Sequence, residues 1–304
     1  MNKKLSICIT TYNRSKILEA TLTHNIIIAK KNSIPIYVNN NNSTDDTDYV
    51  LKKLKNKYKY LFPLTQSSNI GFDRNYEHCI KRSKSEYSWG MADYSYISKV
   101  SVEKILKIIN KKDYDFVFMN NGNRIKENVK SEMTILDDVI MNIGWAITLL
   151  DTIVWSKKYI KKANFVRYYD SIFGYYGAMM ESLTASSFKV YWFNESLVDS
   201  HHAGKKSIWL SDCLNTWLVK WPNLIMSLPY SIPIEKKFFL INEHNKKANI
   251  ISFKNLLYLK VSGYLNQTII KKNSTVYKSF LPLLNFMFLN LLNKIPNSPF
   301  HKRK

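Results

Sequence analysis

The chain has little cysteine: Cys8, Cys79 and Cys213 are scattered through 304 residues with no CxxC spacing, which points away from a disulfide framework or a zinc site. Eight glycines are too few for a fibrous or linker-rich protein. No apolar run reaches the roughly 18–20 residues that a membrane-spanning helix needs, and the start MNKKLSICITTYNR turns polar too soon for a signal peptide. Acid is scarce as well, with 23 Asp and Glu against 45 Lys and Arg and a formal net charge of +22. The excess is uneven: residues 201–304 hold sixteen Lys and Arg but three acids, Asp212, Glu235 and Glu243. These features predict a protein of the reducing cytoplasm, soluble or peripheral on the inner face of the cell membrane. No helix-turn-helix, zinc or RNA-binding motif accompanies the charge, which is mostly Lys, so a nucleic-acid partner is not expected.

What is present is globular: 45% apolar and 14% aromatic residues in regular segments. Over roughly the first hundred residues, short β-branched runs alternate with helical patterns, as in a mainly parallel sheet with crossover helices. Strands are expected at Leu5–Thr11, Ile34–Val38, Tyr60–Thr65, Tyr87–Met91 and Phe116–Asn120. Helices are expected from Ser15 to Lys30, after the cap cluster Ser43-Thr44-Asp45-Asp46, over Phe72–Lys81 and over Ser101–Asn110. A further block, 144–202, carries a helix with Met179, Met180 and Leu183 and a strand Phe188–Phe193. After Gly204 the pattern is helical only, with Trp209, Trp217 and Trp221 near helical spacing. The expected fold class is α/β: a mostly parallel, Rossmann-like sheet flanked by helices over 1–203, and a basic, mainly helical C-terminal add-on over 204–304.

In open sheets of this kind, ligands sit beyond the carboxyl ends of the strands, which singles out three polar loops. Ile9-Thr10-Thr11-Tyr12-Asn13-Arg14 can hydrogen-bond a planar ring while Tyr12 packs on its face; it can equally be a strand-to-helix turn. Val38-Asn39-Asn40-Asn41-Asn42-Ser43-Thr44-Asp45-Asp46 offers amides that read a pyrimidine edge and a helix N-terminus that favours an anion, or an ordinary Asx turn and cap. Ser68-Asn69-Ile70-Gly71-Phe72-Asp73-Arg74-Asn75 is followed by Glu86-Tyr87-Ser88-Trp89-Gly90-Met91-Ala92-Asp93-Tyr94-Ser95.

In this order the motifs resemble the inverting GT-A glycosyltransferases of family 2, over residues 1 to about 100. The resemblance implies that Thr10, Tyr12 and Asn41 line a nucleobase pocket, with Arg14 in the same loop, and that Asp73 and Arg74 lie near the ribose and diphosphate. Asp93 then opens the short acidic motif that carries the sugar nucleotide and its divalent metal, Mn2+ or Mg2+. Where that family has two or three consecutive acids, this chain reads Asp93-Tyr94-Ser95. Three alternatives stay open: weak metal binding through Asp93, Ser95 and His202; neutralisation of the diphosphate by basic residues such as Arg74 without metal; or a non-catalytic partner subunit.

An inverting transferase needs a general base for the acceptor hydroxyl. The positions where the resembled family places an acid hold Tyr175 and Tyr176, which leaves Asp170 and Glu181 as candidates. Gly144–Thr148 and Trp217–Trp221 resemble streptococcal-type polysaccharide and glycoprotein glycosyltransferases. The implied reaction moves a hexose from a UDP-sugar to a hydroxyl of a surface glycan or glycoprotein acceptor. The apolar segment 278–294, flanked by lysines, is read as a core helix, a contact in a homo-oligomer, or an interfacial helix on an anionic membrane surface.

Overall fold

Leu5–Thr11 (LSICITT) is buried at every position, as a central parallel strand covered on both faces must be; it forms β1. The computed structural model describes residues 1–185, 187–200, 212–265, 270–271, 275 and 283–294. After β1 come α1 (Ser15–Lys31), β2 (Ile36–Asn40), α2 (Thr47–Lys55), β3 (Leu61–Thr65), α3 (Phe72–Arg82) and β4 (Tyr87–Ala92). These are followed by β5 (Ser95–Ile97), α4 (Lys99–Lys111), β6 (Phe116–Met119), β7 (Glu132–Met133), α5 (Leu136–Asp138), β8 (Ile153–Ser156), α6 (Lys157–Lys162), α7 (Gly174–Thr184), β9 (Val190–Phe193) and β10 (Val198–Ser200).

The main sheet has eight strands in the order β3-β2-β1-β4-β8-β6-β9-β7, and β10 pairs separately with β5. β1 is parallel to β2 and β4, β2 to β3, and β6 to β9, whereas β8 runs against β4 and β6, and β7 against β9. β2 lies on one side of β1 and β4 on the other. Their connections diverge there, opening a crevice beyond the carboxyl ends of β1 and β4, the usual ligand position in such sheets.

Most expected elements are present within a residue or two, and the departures have local causes. The second strand lies over Ile36–Asn40 rather than Ile34–Val38. Asn39 and Asn40 continue the ladder between Thr10–Thr11 and Leu64–Thr65, and their buried amides are satisfied by Arg82 and by Asp48. The fourth helix starts at Lys99, ahead of Ser101, because Ser98 and Ser101 form a reciprocal capping box. β5 and β7, of three and two residues, were not expected; strands this short carry no measurable period.

Trp89, Trp155 and Trp192 are fully buried. Tyr76 of α3 lies against β4, where a Cβ on Gly90 would come 2.5 Å from its hydroxyl oxygen and 2.8 Å from its ring, so this strand position admits only glycine without a shift.

Residues Met1–Ala203 with Leu228–Ile232 form one compact unit, and the described part of Gly204–Ser227 and Pro233–Lys304 forms another. The second contains α8 (Cys213–Asn215), α9 (Trp221–Ser227), α10 (Ile234–Lys247), α11 (Phe253–Val261) and α12 (Leu283–Lys294). The expected tryptophan cluster gathers around His244 of α10: Trp217 stacks on it at 4.1 Å between centroids, and Trp221 lies 5.3 Å away. Trp209 lies outside the described residues. α11 meets α12 through Phe253 and Phe288, 4.9 Å apart. Among the described residues no helix is long and apolar enough to cross a membrane.

Replacing Gly90 with Ala should force Tyr76 off β4 and lower stability by about 1–3 kcal/mol, read as a drop in the thermal midpoint.

Candidate active site

The loops at the carboxyl ends of β1, β2 and β3 are stitched together by short polar side chains. Asn13 donates its backbone N–H to Ser43 Oγ at 2.8 Å, and its Oδ1 accepts from Thr44 N at 2.8 Å. Asp45 accepts from Ser15 N (2.8 Å) and Thr47 N (3.1 Å), so a single carboxylate serves the first turns of α1 and α2. Asn13 and Asn42 hold φ of 52° and 59°, a left-handed conformation that asparagine tolerates better than most residues. Asn41 donates to Asn69 Oδ1 (2.8 Å) and accepts from Ile70 N (3.0 Å). The Asn41 amide thus braces the loops after β2 and β3. Thr10 is buried at the end of β1, and Tyr12 is 40% exposed, leaving its ring available as a stacking surface.

Asp93 sits at the mouth of the crevice, 4% exposed. Thr11 Oγ1 donates to its Oδ2 at 2.9 Å and Arg14 Nη1 to its Oδ1 at 2.8 Å. Burial raises the carboxyl above its ordinary value, and Arg14 and Thr11 oppose that rise. The guanidinium of Arg14 also lies 5.7 Å from the centre of the Tyr94 ring. Each Asp93 oxygen accepts one of these bonds and retains a further lone pair, so the carboxylate fits a hydrated divalent ion shared with a diphosphate. Ser95 does not fit as expected: it is fully buried and donates to Asp151 Oδ2 at 2.7 Å. His202 lies outside the described residues, among which no group of three or more His, Cys, Asp or Glu is placed to hold a metal.

Asp73 and Arg74 open α3. Asp73 Oδ2 accepts from Ile172 N and Oδ1 from Gly174 N, both at 2.9 Å, which makes it a strut at the start of α7. A Cβ on Gly174 would lie 2.9 Å from Asp73 Oδ1. Burial pushes Asp73 up to about 6, against the opposing pull of those backbone donors. Arg74 pairs with Asp170, Nη1 to Oδ1 at 2.8 Å, and its guanidinium lies 4.3 Å from the centre of the Tyr169 ring. Two residues expected to act separately are thus each other's partners. The Asp170 side chain is 76% exposed, and Asp170 and Ile172 hold φ of 65° and 61°, a strained conformation for a β-branched residue.

Glu181 lies two turns along α7 from the end that Asp73 anchors, 3.8 Å from Arg167 Nη1. There it forms an ion pair along the side of the helix. Tyr175 and Tyr176 are buried and donate to the carbonyls of Thr148 and Gly144.

Sequence reasoning missed the ring of groups around Asp151. Its backbone carbonyl accepts from Trp89 Nε1 (2.9 Å) and Asn121 Nδ2 (2.8 Å), and its carboxylate from Ser95 and from Asn121, the latter at 3.2 Å. Nearby, Arg124 donates to Ala146 O and Thr148 Oγ1 and lies 4.9 Å from the centre of the Trp145 ring, and burial lowers its pKa to about 10. In the stretch LLDTIVW a lone aspartate has no local signal; only the tertiary fold brings it to Ser95.

The Glycosyl transferase family 2 model matches residues 6–185. The chain belongs to that family. Its fold is GT-A, and similar solved structures include residues 1–349 of S. aureus TarS, at 12% identity and TM-score 0.57, covering 96% of this chain and 90% of that one. The same protein in complex with UDP-GlcNAc matches at 13% identity and TM-score 0.57, covering 95% and 88%. The mannosyltransferase PcManGT from Pyrobaculum calidifontis, in complex with GDP-Man and Mn2+, matches at 10% identity and TM-score 0.58, covering 96% and 84%. At these identities the likeness is one of fold. No curated protein matches the sequence significantly. As a family 2 glycosyltransferase the chain is an enzyme acting on a nucleotide-sugar.

The raised pKa of Asp73 in this glycosyltransferase sets a sign for pH. Because the folded value, about 6, lies above the ordinary 3.8, this group's contribution is complete below about pH 4 and is lost as pH rises through about 6, an effect of up to roughly 2–3 kcal/mol. Urea titrations across this range should show that component in the wild type and a flatter profile in Asp73→Asn.

Proposed function

We propose that this glycosyltransferase moves a hexose from a UDP-sugar to a hydroxyl of a growing surface glycan, a capsular polysaccharide or glycoprotein glycan of the streptococcal type its sequence resembles, with inversion at the anomeric carbon. The observation that carries the reading is the buried Asp93, held by Thr11 and Arg14 where the β1 and β4 connections diverge. Neighbours of the same fold were solved with UDP, UDP-GlcNAc and GDP-Man, which supports a nucleoside-diphosphate donor.

In this reading the ring of Tyr12 stacks on the base, and Thr11 and Arg14 keep Asp93 oriented toward the donor. A divalent ion, Mn2+ or Mg2+, held through Asp93 would neutralise the leaving diphosphate. Of the two candidate bases, Asp170 is the one an acceptor hydroxyl can reach, since it stands exposed on its turn while Arg74 fixes its orientation. The deciding experiment is calorimetric titration with UDP and with GDP, each with Mn2+ and with EDTA. Binding of UDP that weakens sharply in EDTA and is lost in Asp93→Ala supports the assignment; unchanged affinity in Asp93→Ala removes it.

We further propose that the C-terminal unit, within residues 204–304, docks on the anionic inner face of the cell membrane. α11 is apolar on its buried side, through Leu256 and Leu259, and also on its outer side, where Leu257 and Val261 lie one turn apart and are about half exposed. Met287 and Leu291 are similarly exposed on α12. Exposed apolar stripes on a lysine-rich unit suit an anionic bilayer. The protein should sediment with vesicles containing phosphatidylglycerol but not with pure phosphatidylcholine, and a Leu257→Glu, Val261→Glu double variant should stay in the supernatant; a homo-oligomer contact would instead show as a change in mass without vesicles.

A further inference from the structure

The loops after β1, β2, β3 and β4 that frame the crevice are close to neutral: residues 12–16, 41–48, 66–74 and 93–99 hold four Lys and Arg against five acids. The opposite end of the sheet is strongly basic. There the chain enters β3, β2, β1, β4, β6 and β9 and leaves β8, and these segments are bonded side to side. Ile36 N donates to Tyr60 O, Asn2 N to Ser33 O, Ser85 Oγ to Asn2 O, Lys157 N to Glu86 O, Ser156 N to Asp115 O and Asp115 N to Lys189 O. With neighbouring strands about 4.8 Å apart, the seven segments make a continuous front of roughly 30 Å. Residues 1–4, 30–35, 55–60, 81–86, 111–115, 157–162 and 187–189 hold seventeen Lys and Arg against three acids. The rest of residues 1–200 hold twelve against seventeen, so the positive excess of the catalytic unit is gathered at the end away from the crevice.

Part of this charge has a local explanation. Lys30 and Lys31 end α1, Lys55 ends α2, and Lys81 and Arg82 end α3, where a cation complements the helix dipole. That account does not reach Lys3, Lys57, Lys59 or Lys84, which stand in connecting turns. It runs against Lys157 and Lys158, which open α6 at the helix end that disfavours a cation. Lys3, Lys57 and Lys84 are exposed and form no ion pair among the described residues. The three acids, Glu86, Asp113 and Asp115, all line one groove of about 620 Å³, where Lys4 pairs with Glu86 and Lys158 with Asp115. From Ser85 across the turns before β1, β2 and β3, the front carries no acid.

The make-up of the front selects a lipid surface over a nucleic acid. Sixteen of its seventeen cations are lysines, and the one arginine, Arg82, turns inward to Asn39 Oδ1 and the Phe62 carbonyl. Lysine is a hydrated point charge on a flexible stem, suited to a fluid array of headgroups, whereas fixed phosphates favour the arginine fork. The aromatic rings of the front, Tyr58, Tyr60, Tyr114, Tyr159 and Phe188, are buried or half-buried, so it lacks the open stacking platforms of single-strand binders. We propose that this amino-end front of the sheet is an electrostatic docking face for an anionic lipid bilayer, and that docking there turns the crevice away from the lipid. The inference is independent of the donor-site reading, and it adds to the docking of the C-terminal unit a second contact on the catalytic unit itself. β1 has seven residues, so an acceptor hydroxyl in the crevice stands roughly 20 Å from the headgroups. That distance suits a glycan already several sugars long, or one carried on a protein, better than the first sugar on a lipid.

The test is sedimentation of the full chain with phosphatidylcholine vesicles containing increasing fractions of phosphatidylglycerol, at several salt concentrations, with a thermal melt and UDP calorimetry alongside. The front triple variant Lys3→Gln, Lys57→Gln, Lys84→Gln should lower the association constant about 100-fold, at about 1 kcal/mol per lysine near a charged surface. It should also flatten the salt dependence, with UDP affinity and melting temperature close to wild type. A matched triple at the crevice end, Lys16→Gln, Lys126→Gln, Lys130→Gln, makes the same charge change and should cost less than about tenfold, because charges beyond a Debye length are screened. Equal losses in the two triples overturn the inference, since net charge alone would then drive binding, and so does an unchanged association constant in the front triple. A front triple that loses binding to an oligonucleotide or a free acidic glycan but keeps the vesicles assigns the face to a polyanion and also overturns it. Should the first triple fail to fold, Lys31→Gln, Lys59→Gln, Lys161→Gln is read in the same way. The Leu257→Glu, Val261→Glu variant separates the two contacts. Vesicle binding kept there but lost in the front triple supports the front and removes the C-terminal docking; the reverse leaves the C-terminal docking and overturns the front. Failure of the wild type to bind anionic vesicles brings down both, and leaves the donor-site reading to its own titration.

Discussion

The buried carboxylate of Asp93 depends on the parallel pairing of β1 with β4, and much of the site depends on that carboxylate. With Thr10 opposite Ala92 in the ladder, the next residues along each strand, Thr11 and Asp93, are brought within a hydrogen bond although 82 positions apart. A carboxylate this deep would be costly alone, and Arg14, three residues past Thr11, supplies the opposite charge. Removing one partner of such a pair leaves the other buried and uncompensated. The arrangement therefore holds the β1 loop and the β4 loop in one register.

Around this pair the protein builds with neutral polar groups. The asparagines of the β2 loop serve as cross-links: Asn40 accepts from Ser43 N, Asn41 braces Asn69 and Ile70, and Asn13 reaches across from the β1 loop to Thr44. Each amide carries both donor and acceptor, so a short run of them satisfies loop backbone that would otherwise need water. Asp45 does the same for two helix starts at once. This leaves Tyr12 as the exposed aromatic on a rim whose other members are mutually bonded, an arrangement that preorganises a binding face.

The far wall is set by α7, whose first turn is pinned to α3 by Asp73. The loop before it bends through the positive φ angles of Asp170 and Ile172, and the strain is borne by the bonds from Ile172 N–H to Asp73 and from Arg74 to Asp170. Two acids next to one helix start thus do different work: Asp73 is buried and structural, and Asp170 is exposed and faces solvent.

The alternation of strands and helices through β6 and the family resemblance were readable in the sequence, because each rests on local pattern: period, caps and the order of short motifs. The tertiary structure alone decided what the polar residues do. Asn41 and Asp73 carry the composition of ligand-binding residues, and the fold gives them backbone partners some 29 and 100 positions away. Ser95 was joined to an aspartate 56 residues on. A side chain's chemistry is written locally, but whether it meets a ligand or another part of the chain depends on long-range register, and no local pattern encodes that.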